Sequence, residues 1–254
     1  MREQRGQLEL RLIPVIGLPE IRPGDDVAQL ISQHARLEEG DILVIAQKIV
    51  SKAEGRMVAL DTVTPSEEAV RLAQEAEKDP RMVQLVLEES REVLRVRPGA
   101  LIVEDRRGWV CANAGIDRSN VQQDSGRETV LLLPLDPDRS ARLIRDRIQI
   151  ATDRSVAVII SDSHGRAWRE GTVGVAIGAA GLTVLSDLRG DPDRHGYELQ
   201  HTTVGQADEV ASAASLLMGQ AAQGIPAVIV RGLDVAGAGK AADLQRPRER
   251  DLFR

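Results

Sequence analysis

Residues 110–121, VCANAGIDRSNV, put Asp117 and Asn120 three positions apart among small residues, directly after a run of strand formers. A carboxylate and an amide that close, on a backbone able to bend round a ligand, suit the presentation of a divalent cation to a phosphate. A second element, residues 156–165 (VAVIISDSHG), reads as an apolar strand that stops at Asp162, Ser163 and His164. Two strand ends, each delivering an aspartate, predict a metal and phosphate site, because hard oxygen donors are what Mg²⁺ and Mn²⁺ prefer. The plainer reading is that Asp117 caps a turn and Asp162 caps a helix. Spacing alone leaves both open.

Other side chains bear on the same chemistry. Lys48 and Lys52 are four residues apart in VIAQKIVSKAEG, so a helix there directs both ammonium groups the same way, either toward a phosphate or into solvent. Asp208 and Glu209 open a predicted helix, where carboxylates favour the dipole without any ligand role. His164 is an acid or base by type alone. His195 and His201 flank Tyr197 in a polar stretch that reads as a substrate loop or a simple hairpin. Gly171, Gly174, Gly178 and Gly181 match no Walker or dinucleotide fingerprint, and no serine sits in a GxSxG elbow.

The positioning elements follow from periodicity and turn signals. Strands are predicted over 8–15, 41–45, 157–160 and 227–231, with a hairpin from 101–104 and 108–112. Helices are predicted over 26–34, from Pro65 and Ser66 onward, 80–90, 138–152 and 208–218. The Gly-rich apolar stretch 171–185 fits close-packed strands, which also makes it a candidate dimer interface. The tail from about Leu233 reads as a loosely held extension. The alternation is too irregular for a Rossmann or barrel array, so the expected class is α/β of the mixed α+β kind. It is expected as one domain over 1–254 that divides at most into two lobes.

Bulk properties exclude several functions. Only four aromatic residues occur (Trp109, Trp168, Tyr197 and Phe253), so a base-stacking platform is hard to build. With a net charge of −6 and no long Lys/Arg run, nucleic-acid binding is not expected. Cys111 is the single cysteine, which rules out intrachain disulfides and a cysteine-based zinc site. No apolar run is long enough to span a bilayer and the first residues show no signal core, so the expectation is a cytoplasmic protein without membrane contact.

Taken in order, GLPEIRPGDD, VIAQKIVSKAEGR, VCANAGIDRSNV, ISDSHGRAWREGTVGVAIG and ADEVASAASLLMGQ resemble the coenzyme F420-0:L-glutamate ligase family over nearly the whole chain. The tail is similar to the point where a longer bifunctional form continues into a reductase-like domain. The resemblance implies the fold of that family and a dimeric, GTP-dependent and metal-dependent amide ligase. Its substrates would be F420-0, L-glutamate and GTP, with Mg²⁺ or Mn²⁺ and room for a monovalent cation such as K⁺. It implies an acyl phosphate on the precursor's carboxylate, displaced by the glutamate amine, with further γ-linked additions open.

Residue by residue, it assigns nucleotide contacts to Gly17, Leu18, Pro19, Glu20, Gln47, Lys52 and Asn120. The last nucleotide stretch is Ala207, Asp208, Glu209, Val210, Ala211, Ser212, Ala213 and Ala214. Metal ligation falls to Asp117, Asp162, Ser163 and Glu209, with Asp208 second to Glu209. Catalytic roles fall to Asp117, Asp162 and Lys52, and none to His164. Two other functions fit the same residues: a nucleotide-dependent ligase for another carboxylated metabolite, and a non-catalytic module that holds the deazaflavin, with Trp168 or Tyr197 available for stacking.

Overall fold

The computed structural model describes residues 9–119 and 127–252. Its elements are β1 (Arg11–Pro14), α1 (Val27–His34), β2 (Ile42–Ala46), α2 (Gln47–Ala53), β3 (Met57–Ala59), α3 (Glu67–Ala76), α4 (Pro80–Glu88), β4 (Ser90–Arg97), β5 (Ala100–Asp105) and β6 (Val110–Ala112). They continue with β7 (Thr129–Leu131), α5 (Pro137–Thr152), β8 (Ala157–Arg166), β9 (Arg169–Ala180), β10 (Ser186–Asp187), β11 (Thr203–Val204), α6 (Gln206–Met218) and β12 (Ala227–Arg231).

The main sheet has the order β1-β12-β2-β8-β9. β2 and β8 run parallel at its centre, and every other pairing is antiparallel. The near-continuous apolar runs ILVIA and AVIIS explain that position, since a central strand covered on both faces has no use for alternation. On one face, Leu43, Ile45, Val158 and Ile160 meet Ile31 of α1 and Ile144 and Ile148 of α5. On the other, Ile42, Val44, Ile159 and Val228 meet Ala207, Val210, Ala211 and Ala214 of α6.

The alanine face of α6 and the glycines of β9 are one device. A Cβ at Gly174 would strike the Ala211 carbonyl, and one at Gly178 the Pro137 carbonyl. Glycine there lets both helices lie directly on the strand. The Gly-rich stretch is therefore close-packed as expected. Between Val175 and Ala180 it is covered by its own chain, so that part offers no interface.

A further hydrophobic core lies apart from the main sheet. Leu72 of α3 and Val83 and Val86 of α4 pack on Leu101, Val103 and Val130, which belong to the β4-β5-β6 and β3-β7 sheets. Its helix starts are capped by side chains: Ser66 accepts from the Ala69 amide and Asp79 from the Arg81 amide. β4 escaped the sequence reading because its charged SREVLRVR run is half exposed and pairs only with β5.

Three expectations are corrected. The first strand is shorter than 8–15: Glu9 and Leu10 lie outside it, and Leu8 falls outside the described residues. β8 does not stop at Asp162 but runs on to Arg166, because β9 continues to pair with it. The segment after Leu233 is not loose up to Leu244: Val235 and Ala241 are buried, and Asp138 accepts from the Ala241 amide at 2.8 Å. Burying two apolar side chains and satisfying a carboxylate outweighs the freedom its glycines would otherwise give.

Candidate active site

A cavity of about 840 Å³ opens at the carboxyl edge of the parallel pair β2 and β8. Four segments meet there: Leu18 to Ile21 after β1, the first turns of α2, Ser161 to Ser163 of β8, and the chain from the end of α6 to Pro226. The carboxyl ends of parallel strands are where α/β sheets leave a crevice for ligands. The β8–β9 ladder shifts register between Ile160 and Ser161, where the strand turns from apolar to polar. Such an irregularity re-aims side chains next to a site.

The two lysines of α2 both line this cavity, and each is held by a carboxylate from elsewhere in the chain. Lys52, only 8% exposed, meets Glu20 at 2.5 Å, while Glu20 is 61% exposed. Lys48 meets Asp117 Oδ2 at 2.7 Å and the Ser119 hydroxyl at 2.5 Å. Burial pushes the Asp117 carboxyl upward, but the Lys48 and Ser119 hydrogen bonds and the Lys48 charge outweigh it and hold the group below the usual range. Gln47 is almost fully buried. Its Oε1 accepts from Ser51 at 2.9 Å, and its Nε2 has no partner among the described residues. A buried amide donor without an acceptor costs about 1–3 kcal/mol, so the cavity wall carries an unmet donor.

Asp162 is neither a helix cap nor a strand end; it sits within β8 opposite Val175. Its Oδ2 lies 3.2 Å from His164 Nε2, yet that nitrogen makes no hydrogen bond among the described residues. Ser163 donates to Gln220 Oε1 at 2.8 Å. Asp117 does cap a turn, accepting from the Ser119 amide at 2.7 Å, so the plain reading and its lysine pairing hold together. Just behind the site Cys111 is pushed up to about 12, chiefly by burial and then by the charges of Asp105 and Asp162.

The structure brings Leu18, Pro19, Glu20, Gln47, Lys48, Lys52, Asp162 and Ser163 to one cavity. Asp117 adjoins it through Lys48. Gly17 is not on the wall. The 207–214 stretch is also apart from it: Ala207, Val210, Ala211 and Ala214 are core residues against β9, and α6 reaches the cavity only at Ser215 and Met218. Ser212 donates to the Gly174 carbonyl, Ala213 is half-buried, and Glu209 is exposed. Asp208 accepts from the Ala176 amide, and burial raises its carboxyl against that bond and the His164 charge. Asn120 lies outside the described residues. Trp168 and Tyr197 are exposed and off the cavity, and His195 belongs to a turn around Asp193. Sequence reasoning missed Ser161, Gln220 and Pro226; the glycines at 219 and 224 after a helix were the available signal.

Among the described residues no three His, Cys, Asp or Glu side chains converge as a metal cage. That donor set nonetheless suits Mg²⁺ or Mn²⁺, which are held by one or two carboxylates and complete their shell with water and substrate phosphates. No helix among the described residues is long and apolar enough to cross a membrane.

Comparison with known proteins adds to this geometry. Residues 15–232 match the family model described as F420-0:Gamma-glutamyl ligase. The chain is 50% identical to the coenzyme F420:L-glutamate ligase of Methanopyrus kandleri, covering 96% of this chain and 98% of that protein. It is 49% identical to the protein of the same name from Methanothermobacter thermautotrophicus (96% and 99% covered) and 48% identical to that of Archaeoglobus fulgidus (97% and 97%).

Proposed function

The chain belongs to the F420-0:Gamma-glutamyl ligase family, and on that premise we propose that it joins L-glutamate to the carboxylate of coenzyme F420-0 at the expense of GTP. The observation that carries this reading is the cavity that gathers Lys48, Lys52, the unmet Gln47 donor and Asp162 at the carboxyl edge of the parallel strands.

The chemistry asks for such a wall. A carboxylate resists attack by an amine, so its oxygen first takes the γ-phosphoryl group from GTP, releasing GDP and leaving an acyl phosphate. The glutamate amine then attacks the acyl carbon, and phosphate departs as the amide forms. Lys52, desolvated on its stem and tied to an exposed carboxylate, is suited to exchange Glu20 for a phosphate oxygen. Lys48 can do the same on the Asp117 side, and Gln47 Nε2 can donate to a phosphoryl or carbonyl oxygen. Asp162, with Ser163, Asp117 and Glu209 contributing, would hold one or two Mg²⁺ or Mn²⁺ ions, which neutralise triphosphate charge when bound. Glu209 and the 207–214 stretch stand off this wall in the single chain. A homodimer, or closure on substrate, is the arrangement in which they would serve.

Mass spectrometry of F420-0 incubated with the protein, L-glutamate, GTP and Mn²⁺ tests the reading. GTP-dependent product heavier by one or more glutamyl units supports it and counts the additions. Released GDP beside unchanged F420-0 redirects the ligase to another carboxylated acceptor. Neither GDP nor product, with deazaflavin still bound, would leave a binding module.

A further inference from the structure

His164 has no role in the chemistry so far, and its surroundings do not look like those of an idle surface histidine. Its side chain is 14% exposed, as is that of Asp162. Its Nε2 has lost contact with solvent and makes no hydrogen bond among the described residues, although the Asp162 carboxylate stands only 3.2 Å away. A buried ring nitrogen left so costs about 1–3 kcal/mol unless something else completes it.

The backbone enforces the pairing. Asp162 and His164 are alternate residues of β8, opposite Val175 and Val173, with no register shift between them. Their side chains therefore leave the same face of the strand. An ordinary ion pair would turn the imidazole until its N–H pointed at the carboxylate oxygen. Here the two donor atoms lie side by side instead. Donors bound to one small divalent ion at about 2.1 Å, at right angles, stand about 3 Å apart. A separation of 3.2 Å without hydrogen-bond geometry fits the spacing of two ligands of one ion.

We infer that His164, through Nε2, joins Asp162 as a protein ligand of the divalent cation and shifts the site's preference from Mg²⁺ toward Mn²⁺. The inference rests on Asp162 holding a cation, as the proposed function has it. The preference follows from ligand type: Mg²⁺ favours oxygen and parts reluctantly with water, whereas affinity for imidazole nitrogen rises along the first-row series that begins with Mn²⁺.

The test uses the full chain and Mn²⁺ alone, read by electron spin echo envelope modulation. The expected result is a histidine nitrogen coupling that shifts on ¹⁵N-histidine labelling and vanishes in both His164→Asn and His164→Phe. The chain has three other histidines, so loss in these variants assigns the signal. Titration should show Mn²⁺ affinity falling about tenfold in the variants, while Mg²⁺ affinity changes about twofold or less. Mn²⁺ that binds with no histidine coupling, or a coupling that survives both substitutions, overturns the role of His164 and leaves the carboxylate site standing. Absence of Mn²⁺ binding to the wild-type chain overturns both.

Discussion

The parallel pair β2 and β8 carries a cavity at each end, and the two differ more in lining than in size. The cavity at the carboxyl edge holds about 840 Å³ and is walled by two lysines, Asp162 and a glutamine with an unmet donor. The cavity at the amino edge is larger, about 930 Å³, and is bordered by Glu39, Arg145, Asp146, Ile150 and the chain after β12. Most of its charged side chains are already engaged: Arg145 is paired with the adjacent Asp146 at 2.8 Å and Glu39 accepts from the Ser155 amide, while Asp234 stands exposed at the rim. Volume does not distinguish a site from a dent. Groups held in place with their bonding capacity still open do, because only those gain when a ligand arrives.

The largest effect should come from the carboxyl edge. Asp162→Asn is expected to lower ligase turnover by about a hundredfold or more while circular dichroism and melting temperature stay near wild type; full turnover would remove Asp162 from the chemistry. Lys52→Gln should cost about a hundredfold in kcat/KM, with little change in melting, since its partner Glu20 is exposed and can rehydrate. A loss confined to melting would make Lys52 a structural residue and dissolve the contrast between the two ends.

Gly178→Ala probes the sheet that joins the cavities. It should cost about 1–3 kcal/mol by denaturant unfolding, because the added methyl meets the Pro137 backbone; unchanged stability would mean that α5 shifts freely. Cys111 tests the wall behind the site. With its thiol pushed up to about 12, the thiolate at pH 8 is scarcer by roughly three powers of ten than for a free cysteine. Thiol-exchange reagents should therefore label the native protein far more slowly than the denatured one, and comparable rates would show that water reaches behind Asp162. Least of all, Arg145→Gln combined with Ile150→Ser at the amino edge should leave turnover unchanged and stability within about 0.5 kcal/mol. A large loss of activity there would give the second cavity a function.

Much of the fold was legible along the chain. The runs ILVIA and AVIIS announced buried central strands, and β12 falls on the predicted 227–231. Asp26, Ser66 and Asp136 cap α1, α3 and α5 as local rules require. What failed depended on partners distant in sequence. β8 outruns its apolar stretch because β9 returns beside it, and the segment after Leu233 is ordered because Asp138 and the α6 core receive it.

The candidate site divides the same way. The residue types and spacing determined that Asp117, Asp162, Lys48 and Lys52 were suited to metal and phosphate chemistry, since charge, donor hardness and helical period are local properties. Only the tertiary structure decided which of them meet. It set Lys52 against Glu20 and Lys48 against Asp117 across long loops, kept most of 207–214 in the core, and aligned His164 with Asp162. Those choices come from burial: packing fixes which faces of β8 and α6 turn inward, and the polar groups take the positions that remain.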